Sequence, residues 1–156
     1  MIVPPESMVP ELSAWNNGKG IDLKSWIQCS GDFQLAIGYS AIFWPKFVLF
    51  EDYIFREGFN LEPLRGSEKN QPRGKSSVEW VINHLHIAEI HYHDLANLSE
   101  DKILWLGNTL KEIYEIKLHS QFPDRPCVVE FYQPEDRQNL IEFQLSFWQK
   151  KHEDPT

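Results

Sequence analysis

The sequence predicts an α+β fold, with several packed helices that include an antiparallel helix pair and with a C-terminal β-hairpin. Before Pro123, apolar residues recur at three- and four-residue steps, which is typical of helices that bury one face. From Ile141 to Trp148, apolar and polar residues alternate, which is typical of a strand with one buried face. A length of 156 residues suits one core. We therefore expect a single domain over residues 1–156.

The N-terminal part is expected to hold an arm and two helices. Residues 1–11 contain three prolines and predict an extended arm. Asp22 is a good N-cap for a short helix that ends at Gly31. Asp32 then begins a second, more apolar helix, which Pro45 ends because proline cannot donate a backbone hydrogen bond.

The middle of the chain is harder to assign. Residues 47–55 are rich in aromatic side chains and fit either a strand or a further helix. Residues 57–76 contain glycines and prolines with little hydrophobic periodicity, so they predict a long polar loop. Ser76 and Glu79 have the spacing of a capping box, and the apolar positions that follow predict a helix as far as Ala88. The cations of the loop are Arg65, Lys69, Arg73 and Lys75.

A long helix and two strands complete the prediction. Ser99 is the expected N-cap of a helix whose buried positions run from Ile103 to Lys117. The short link before Ser99 would place this helix antiparallel to the preceding one. Two strands, residues 127–132 and 141–148, then predict a hairpin. The charged tail, residues 150–156, is expected to be frayed.

Charge narrows the possible partners. Fifteen basic and twenty-three acidic side chains give a net charge of −8. This charge disfavours nucleic acids and anionic membranes and favours a basic protein partner. The most apolar stretch, residues 35–50, is broken by Pro45 and Lys46 and is shorter than the roughly 20 residues that span a bilayer. Residues 1–11 have no signal-peptide pattern, and Cys29 and Cys127 form no motif, so we expect a cytoplasmic protein.

One run of histidines suggests an alternative. Residues 84–94 hold four of the six histidines. On a helix, His86, Glu89 and His93 would share one flank and could bind Zn or Fe, whereas in an extended segment Glu89, His91 and His93 would share one side. H-E-x-x-H is absent, and H-x-x-E-H fails because Ile90 follows Glu89. The alternative function is therefore a small metal-dependent enzyme that activates a bound water. A pH-sensitive structural cluster or partner contact explains the histidines better.

Three segments resemble small bacterial proteins: residues 14–20 (AWNNGKG), 37–45 (IGYSAIFWP) and 147–151 (FWQKK). In size and acidity these proteins are similar to the immunity proteins of polymorphic toxin systems. The resemblance implies a cytoplasmic inhibitor that binds a toxin, with no cofactor, and it assigns no role to any residue.

The leading hypothesis is a non-enzymatic, acidic protein-binding module that covers a basic toxin domain. The 21 aromatic residues, from 6 Trp, 5 Tyr and 10 Phe, are more than a core of this size needs, so we expect some of them at a contact surface. The residues expected to bind the partner are Glu51, Asp52, Glu135, Asp136, Trp15 and Trp44. A further alternative is a structural subunit that associates with itself.

Overall fold

The N-terminal part of the computed structural model, which describes residues 3–70 and 74–153, is helical. A 3-10 turn (Glu6–Met8) leads into helix α1 (Val9–Gly18), which is followed by α2 (Leu23–Ser30) and α3 (Phe33–Phe43). The prediction of an extended arm over residues 1–11 is therefore wrong from Glu6 onward, and Met1 and Ile2 lie outside the described residues.

Two aspartates begin α2 and α3 as predicted. The Asp22 carboxylate accepts a hydrogen bond from the Ser25 amide at 2.7 Å, and the Asp32 carboxylate accepts one from the Leu35 amide at 2.8 Å. Each carboxylate satisfies an amide that has no partner inside the helix. The last residues of α1 differ, because Asn16 and Asn17 have left-handed φ angles of 56° and 55° and end the regular helix.

The aromatic segment after Pro45 is a β-hairpin, which decides between the two structures expected for residues 47–55. Strand β1 (Phe47–Phe50) pairs antiparallel with β2 (Tyr53–Arg56) through a two-residue turn. The turn residues Glu51 and Asp52 have φ angles of 47° and 74°. Positive φ at both central positions is the geometry of a type I′ turn, which twists as the strands do but is normally built with Gly or Asn.

The expected loop over residues 57–76 is largely helical. Helix α4 (Leu61–Asn70) occupies half of it, and α5 (Lys75–Asn83) begins before it ends. Leu64 is fully buried against Tyr53 and Phe55, so one tertiary contact supports a helix whose own sequence shows little periodicity. Pro63 lies in the first turn of the helix, where proline is tolerated. Residues 71–73 lie outside the described residues.

Helix α5 differs from the prediction at both ends. Gly74 is its N-cap and no side chain caps it, so Ser76 and Glu79 form no capping box. The helix ends at Asn83, before Ala88, and is followed by a two-residue strand, β3 (Leu85–His86), and by a 3-10 segment (Ile87–Asn97). Residues 85–86 pair with the free edge of a neighbouring strand, although their apolar spacing favours a helix.

That neighbouring strand belongs to the C-terminal hairpin. After the long helix α6 (Glu100–Gln121), strand β4 (Cys127–Tyr132) pairs antiparallel with β5 (Gln144–Gln149), and β3 pairs with the other edge of β5. The order of this sheet is β3-β5-β4. The α+β class and the C-terminal hairpin are confirmed. Ile141 and Glu142, expected to begin the second strand, belong instead to a 3-10 turn (Leu140–Glu142).

Helices α5 and α6 lie against opposite faces of this sheet. On one face, the Ser146 hydroxyl donates to the Trp80 carbonyl at 2.6 Å, and the Trp80 indole donates to Glu130 at 2.8 Å. On the other face, Gly107 of α6 packs against the ring of Phe131. The sheet thus separates α5 from α6, which the sequence predicts to be neighbours; α5 instead packs against α4.

Two buried side chains of α5 join the two sheets. The Glu79 carboxylate accepts hydrogen bonds from the Ile54 and Gln149 amides, both at 2.8 Å. The Asn83 amide donates to the carbonyls of Ile54 (2.9 Å) and Phe147 (3.2 Å). Strands β2 and β5 belong to different sheets and share no backbone ladder. The side chains of Glu79 and Asn83 make the hydrogen bonds between them instead. They satisfy the polar groups of two strand edges inside the protein.

The C-terminal residues are also held in place. Lys150–His152 form a 3-10 turn, and His152 donates to Glu79 at 2.9 Å. Lys151 binds the Asp52 carboxylate. The predicted frayed tail is therefore wrong for residues 150–153, and residues 154–156 lie outside the described residues.

Candidate protein-binding surface

The residues of the metal hypothesis are not brought together. His86 lies in β3, whereas Glu89, His91 and His93 lie in the 3-10 segment. Neither the shared helical flank nor the shared side of an extended segment therefore forms. The His86 Nδ1 group donates to the Ile141 carbonyl at 2.7 Å. Within residues 3–70 and 74–153, no group of three or more His, Cys, Asp or Glu side chains has an arrangement that could hold a metal ion.

The other histidines of the run make contacts that the sequence does not reveal. The His84 ring stacks on Trp80, with centroids 6.4 Å apart, and lies 5.3 Å from the His86 ring. His91 shares a hydrogen bond with the Tyr39 hydroxyl, and their rings meet edge to face at 5.5 Å. These contacts give the histidines structural roles. The pairing of His91 with Tyr39 depends on how α3 folds back, so no local pattern indicates it.

Tyr39 and His91 lie on a groove of about 630 Å³ between α1–α3 on one side and the 3-10 segment with α6 on the other. The Trp26 indole donates to Glu11 at 2.8 Å and the Trp105 indole donates to the Val3 carbonyl at 3.1 Å. Both indole N–H groups therefore have hydrogen-bond partners. Burial raises the pKa of the Tyr39 hydroxyl, and the nearby charge of Asp32 raises it further. The groove has the size and apolar lining that accept a ligand or a partner's side chain. Its lining includes Leu23, Trp26, Tyr39, Ile90, His91 and Trp105, with Glu11, Asp94 and Lys102 among its charged groups.

Glu135 and Asp136 belong to a larger group of carboxylates at one end of the molecule. Both are exposed in the loop of the C-terminal hairpin. Arg137 of this loop lies 3.9 Å from Glu100 at the start of α6, and the turn that holds Glu142 packs against the 3-10 segment. We call this region the acidic end; its acids are Glu89, Asp94, Glu100, Glu135, Asp136 and Glu142.

Glu51 and Asp52, in contrast, are engaged within the chain. Arg65 binds Glu51 at 2.7 Å, and its hydrogen bond lowers the pKa of Glu51. Asp52 receives Lys151, Arg125 (2.8 Å), Lys75 (3.4 Å) and His152 (3.4 Å). The hydrogen bonds from Lys151 and Arg125 hold the pKa of Asp52 far below its usual range. These contacts stabilise the left-handed turn, so little of the negative charge of its two acids remains for a partner.

The structure separates the two acidic pairs. Asp52 lies beside Gln149, whose side chain donates to the Asp52 carbonyl at 2.7 Å, at one end of the β4–β5 hairpin. Glu135 and Asp136 lie at the other end, in the loop. Six residues of strand cover roughly 20 Å, so one flat contact centred on either pair would not use the other fully.

The two tryptophans also differ from each other. Trp15 is half-buried at the left-handed end of α1. Trp44 is 57% exposed, and the Lys117 ammonium lies 4.4 Å from the centre of its ring. Lys117 is near the end of α6 that is far from Glu100, so Trp44 lies roughly 25 Å along this helix from the acidic end. Trp44 thus belongs to a second exposed surface.

No known protein family, curated protein or solved structure matches this chain. Among the helices of the described residues, none combines the length and apolar character needed to cross a membrane.

Proposed function

We infer that the chain is a protein-binding module whose acidic end docks on a basic protein, as an immunity-type inhibitor would on a basic toxin domain. One observation carries this proposal: Glu135, Asp136 and Glu142 cluster at one end of the fold, and among the described residues no cation lies within ion-pair distance of them. Their charge is available to steer and orient a cationic partner.

Exposed apolar side chains in the same region supply anchors. Tyr132, at the end of β4, is 41% exposed, and Ile141, beside Glu142, is 55% exposed. Register places Tyr132 opposite Gln144, which pairs in turn with His86. A ring and an aliphatic side chain framed by carboxylates form the usual composition of a binding hot spot with a charged rim.

The groove extends this surface. Asp94 belongs both to the acidic end and to the groove lining, and both regions are built on the 3-10 segment. A partner that presents Lys or Arg side chains next to an apolar one would place the charges on the acids and the apolar group in the groove. The exposed free thiol of Cys29 suits a reducing compartment, so we place this function in the cytoplasm.

The test identifies the protein encoded by the reading frame next to that of this chain and then titrates this chain with the most basic domain of that protein. We expect a triple variant, Glu135→Gln, Asp136→Asn and Glu142→Gln, to bind about tenfold more weakly and to show a smaller salt dependence, because rim charges act mainly on association rate. Isothermal titration at low and high ionic strength measures both effects.

A matched control removes three charges elsewhere. Glu6, Glu62 and Glu112 are exposed and lie outside the acidic end, so Glu6→Gln, Glu62→Gln and Glu112→Gln together should leave affinity nearly unchanged. Equal losses in both triple variants would mean that only net charge matters and would exclude a defined acidic surface. A complete lack of binding by the unmodified chain would remove the immunity-type assignment.

A further inference from the structure

The solvent side of α3 is an apolar surface that no other part of the described chain covers. Phe33 is 86% exposed and Ile37 is 72% exposed, and none of the residues of α3 is fully buried. No charged side chain occurs between Phe33 and Trp44. Contiguous exposed apolar surface of this kind usually marks a contact with another molecule.

Gly38 adds a second observation. It lies at the middle of α3, beside Ile37 and on the same solvent side as Ala41, and a Cβ atom built there would have nothing within 4 Å. Glycine within a helix costs about 0.5–1 kcal/mol relative to alanine. No contact within the described chain requires its small size, whereas the close approach of a second backbone would.

The charges at the two ends of α3 are complementary. Asp32 caps the N-terminus, and Lys46, which also pairs with Glu57 at 2.6 Å, follows the C-terminus. Lys117 also lies at that end, where its ammonium donates to the Trp44 carbonyl at 3.3 Å. Two α3 helices in antiparallel orientation would therefore bring each Asp32 toward the lysines of the other copy, and their helix dipoles would be opposed.

We propose that two copies of this chain associate through the solvent side of α3, with the helices antiparallel and a twofold axis near Gly38. A net charge of −8 makes two copies repel each other over most approaches, and the absence of charged side chains between Phe33 and Trp44 keeps α3 from adding to that repulsion. An 11-residue helix is about 16 Å long, so the contact is small and the dimer weak. The proposal does not depend on the function inferred for the acidic end.

Sedimentation velocity over a range from low micromolar to near-millimolar concentration tests the proposal. The chain should shift from monomer to dimer as its concentration rises. Ile37→Glu should raise the dissociation constant at least tenfold, because it places like charges at the twofold axis. Ile116→Glu is the matched control: Ile116 is an exposed isoleucine of α6 (57%), so the same charge change there should leave the dimer intact.

A second variant distinguishes close backbone packing from nonspecific hydrophobic association. Gly38→Leu adds apolar surface, so it would strengthen nonspecific association, but it should weaken a dimer in which the backbones approach at this point. Circular dichroism and thermal unfolding of each variant check that the monomer keeps its fold, as expected for solvent-facing positions.

Three results would overturn the proposal: a monomer at every concentration, tighter association of Gly38→Leu, or equal effects of Ile37→Glu and Ile116→Glu. Neutral phosphatidylcholine vesicles serve as a further probe. Binding of the chain to these vesicles, abolished by Ile37→Glu, would identify a lipid surface as the occupant of this face in place of a second copy.

Discussion

The N-terminal helices α1–α3 and the α/β part from β1 to the C-terminal turn use their apolar residues in different ways. In the α/β part, side chains such as Tyr114, Phe143 and Phe147 are fully buried in one core. Helices α2 and α3 have no fully buried residue, although α3 is the more apolar helix by sequence. The difference teaches that hydrophobic residues mainly support the core in the α/β part, whereas those on the solvent side of α3 are left exposed, where we propose that a second copy binds.

The largest expected effect concerns Glu79, which joins the two sheets of the core. Replacing it by alanine leaves the amides of Ile54 and Gln149 and the ring of His152 without their acceptor inside the protein. We expect Glu79→Ala to lower the free energy of unfolding by about 3–5 kcal/mol, as when one partner of a buried charged network is removed. Urea denaturation measures this loss.

The control for Glu79→Ala is Glu115→Ala. Glu115 lies on the exposed side of α6 and makes a 3.9 Å ion pair with Lys111, as the i,i+4 spacing predicts. Its removal should change stability by less than about 0.5 kcal/mol. If both variants unfolded at the same urea concentration, the buried carboxylate would not be a major support of the core.

Substitutions at two helical glycines, Gly107 of α6 and Gly38 of α3, allow a direct comparison of the α/β part with the N-terminal helices. A Cβ atom at Gly107 would lie 2.1 Å from Cζ of Phe131, whereas one at Gly38 would meet nothing. Gly107→Ala should therefore destabilise the protein by about 1–3 kcal/mol through overpacking. Gly38→Ala should stabilise the monomer by about 0.5–1 kcal/mol, because alanine favours the helix.

Thermal unfolding of the two glycine variants at low protein concentration measures both changes. Adding Phe131→Leu to Gly107→Ala should recover part of the loss, since the smaller side chain makes room for the new methyl group. If both single variants shifted the unfolding temperature in the same direction, the two helix faces would not differ in packing as the structure indicates.

A smaller effect is expected at the β1–β2 turn. Because Lys151 and Arg125 depress the pKa of Asp52 in the folded state, the carboxylate contributes stability above the unfolded pKa of about 3.9 and loses this contribution as pH falls. Asp52 is half-exposed, so the contribution is about 1 kcal/mol at most. Asp52→Asn should flatten the stability curve below about pH 4, and urea titrations at several pH values measure that slope. If Asp52→Asn left the pH dependence of the free energy of unfolding unchanged in acid, Asp52 would not stabilise the turn as proposed.

The smallest expected effect is measured by chemical labelling, which needs no amino-acid substitution. Cys29 of α2 is exposed, whereas burial, with a contribution from Glu79, raises the pKa of Cys127 in β4 to about 12. Iodoacetamide at pH 8 should modify Cys29 quickly and Cys127 only as the core opens. Peptide mass spectrometry over time gives both rates. Equal rates in the native protein would show that β4 is as accessible as α2.

The sequence predicts local features of this fold well where one residue decides them. Asp22 and Asp32 cap helices through their own carboxylates, and alternation from Leu145 to Phe147 marks a buried strand face. Prediction from the sequence fails where a distant contact decides the local structure. The α4 helix depends on Leu64 meeting the β1–β2 hairpin, and α5 ends early because β5 offers an edge.

The candidate surface follows the same rule. The exposure of Glu135 and Asp136 could be anticipated from a polar hairpin loop, and it does occur. Glu51 and Asp52 look similar in sequence, yet Asp52 pairs with three distant cations, Lys75, Arg125 and Lys151. The groove depends on the arrangement of α1–α3 around Tyr39, which no single segment encodes.

The side-chain junction made by Glu79 and Asn83 has a consequence for misfolding. Residues Phe147 and Gln149 of β5 and Ile54 of β2 present edge backbone groups that, within the described residues, bond to Glu79 and Asn83 of α5. If α5 detached, two apolar strands would expose unpaired backbone groups, the template from which intermolecular β-sheets grow. We therefore expect this one short helix to protect the chain against aggregation as well as to support its native state.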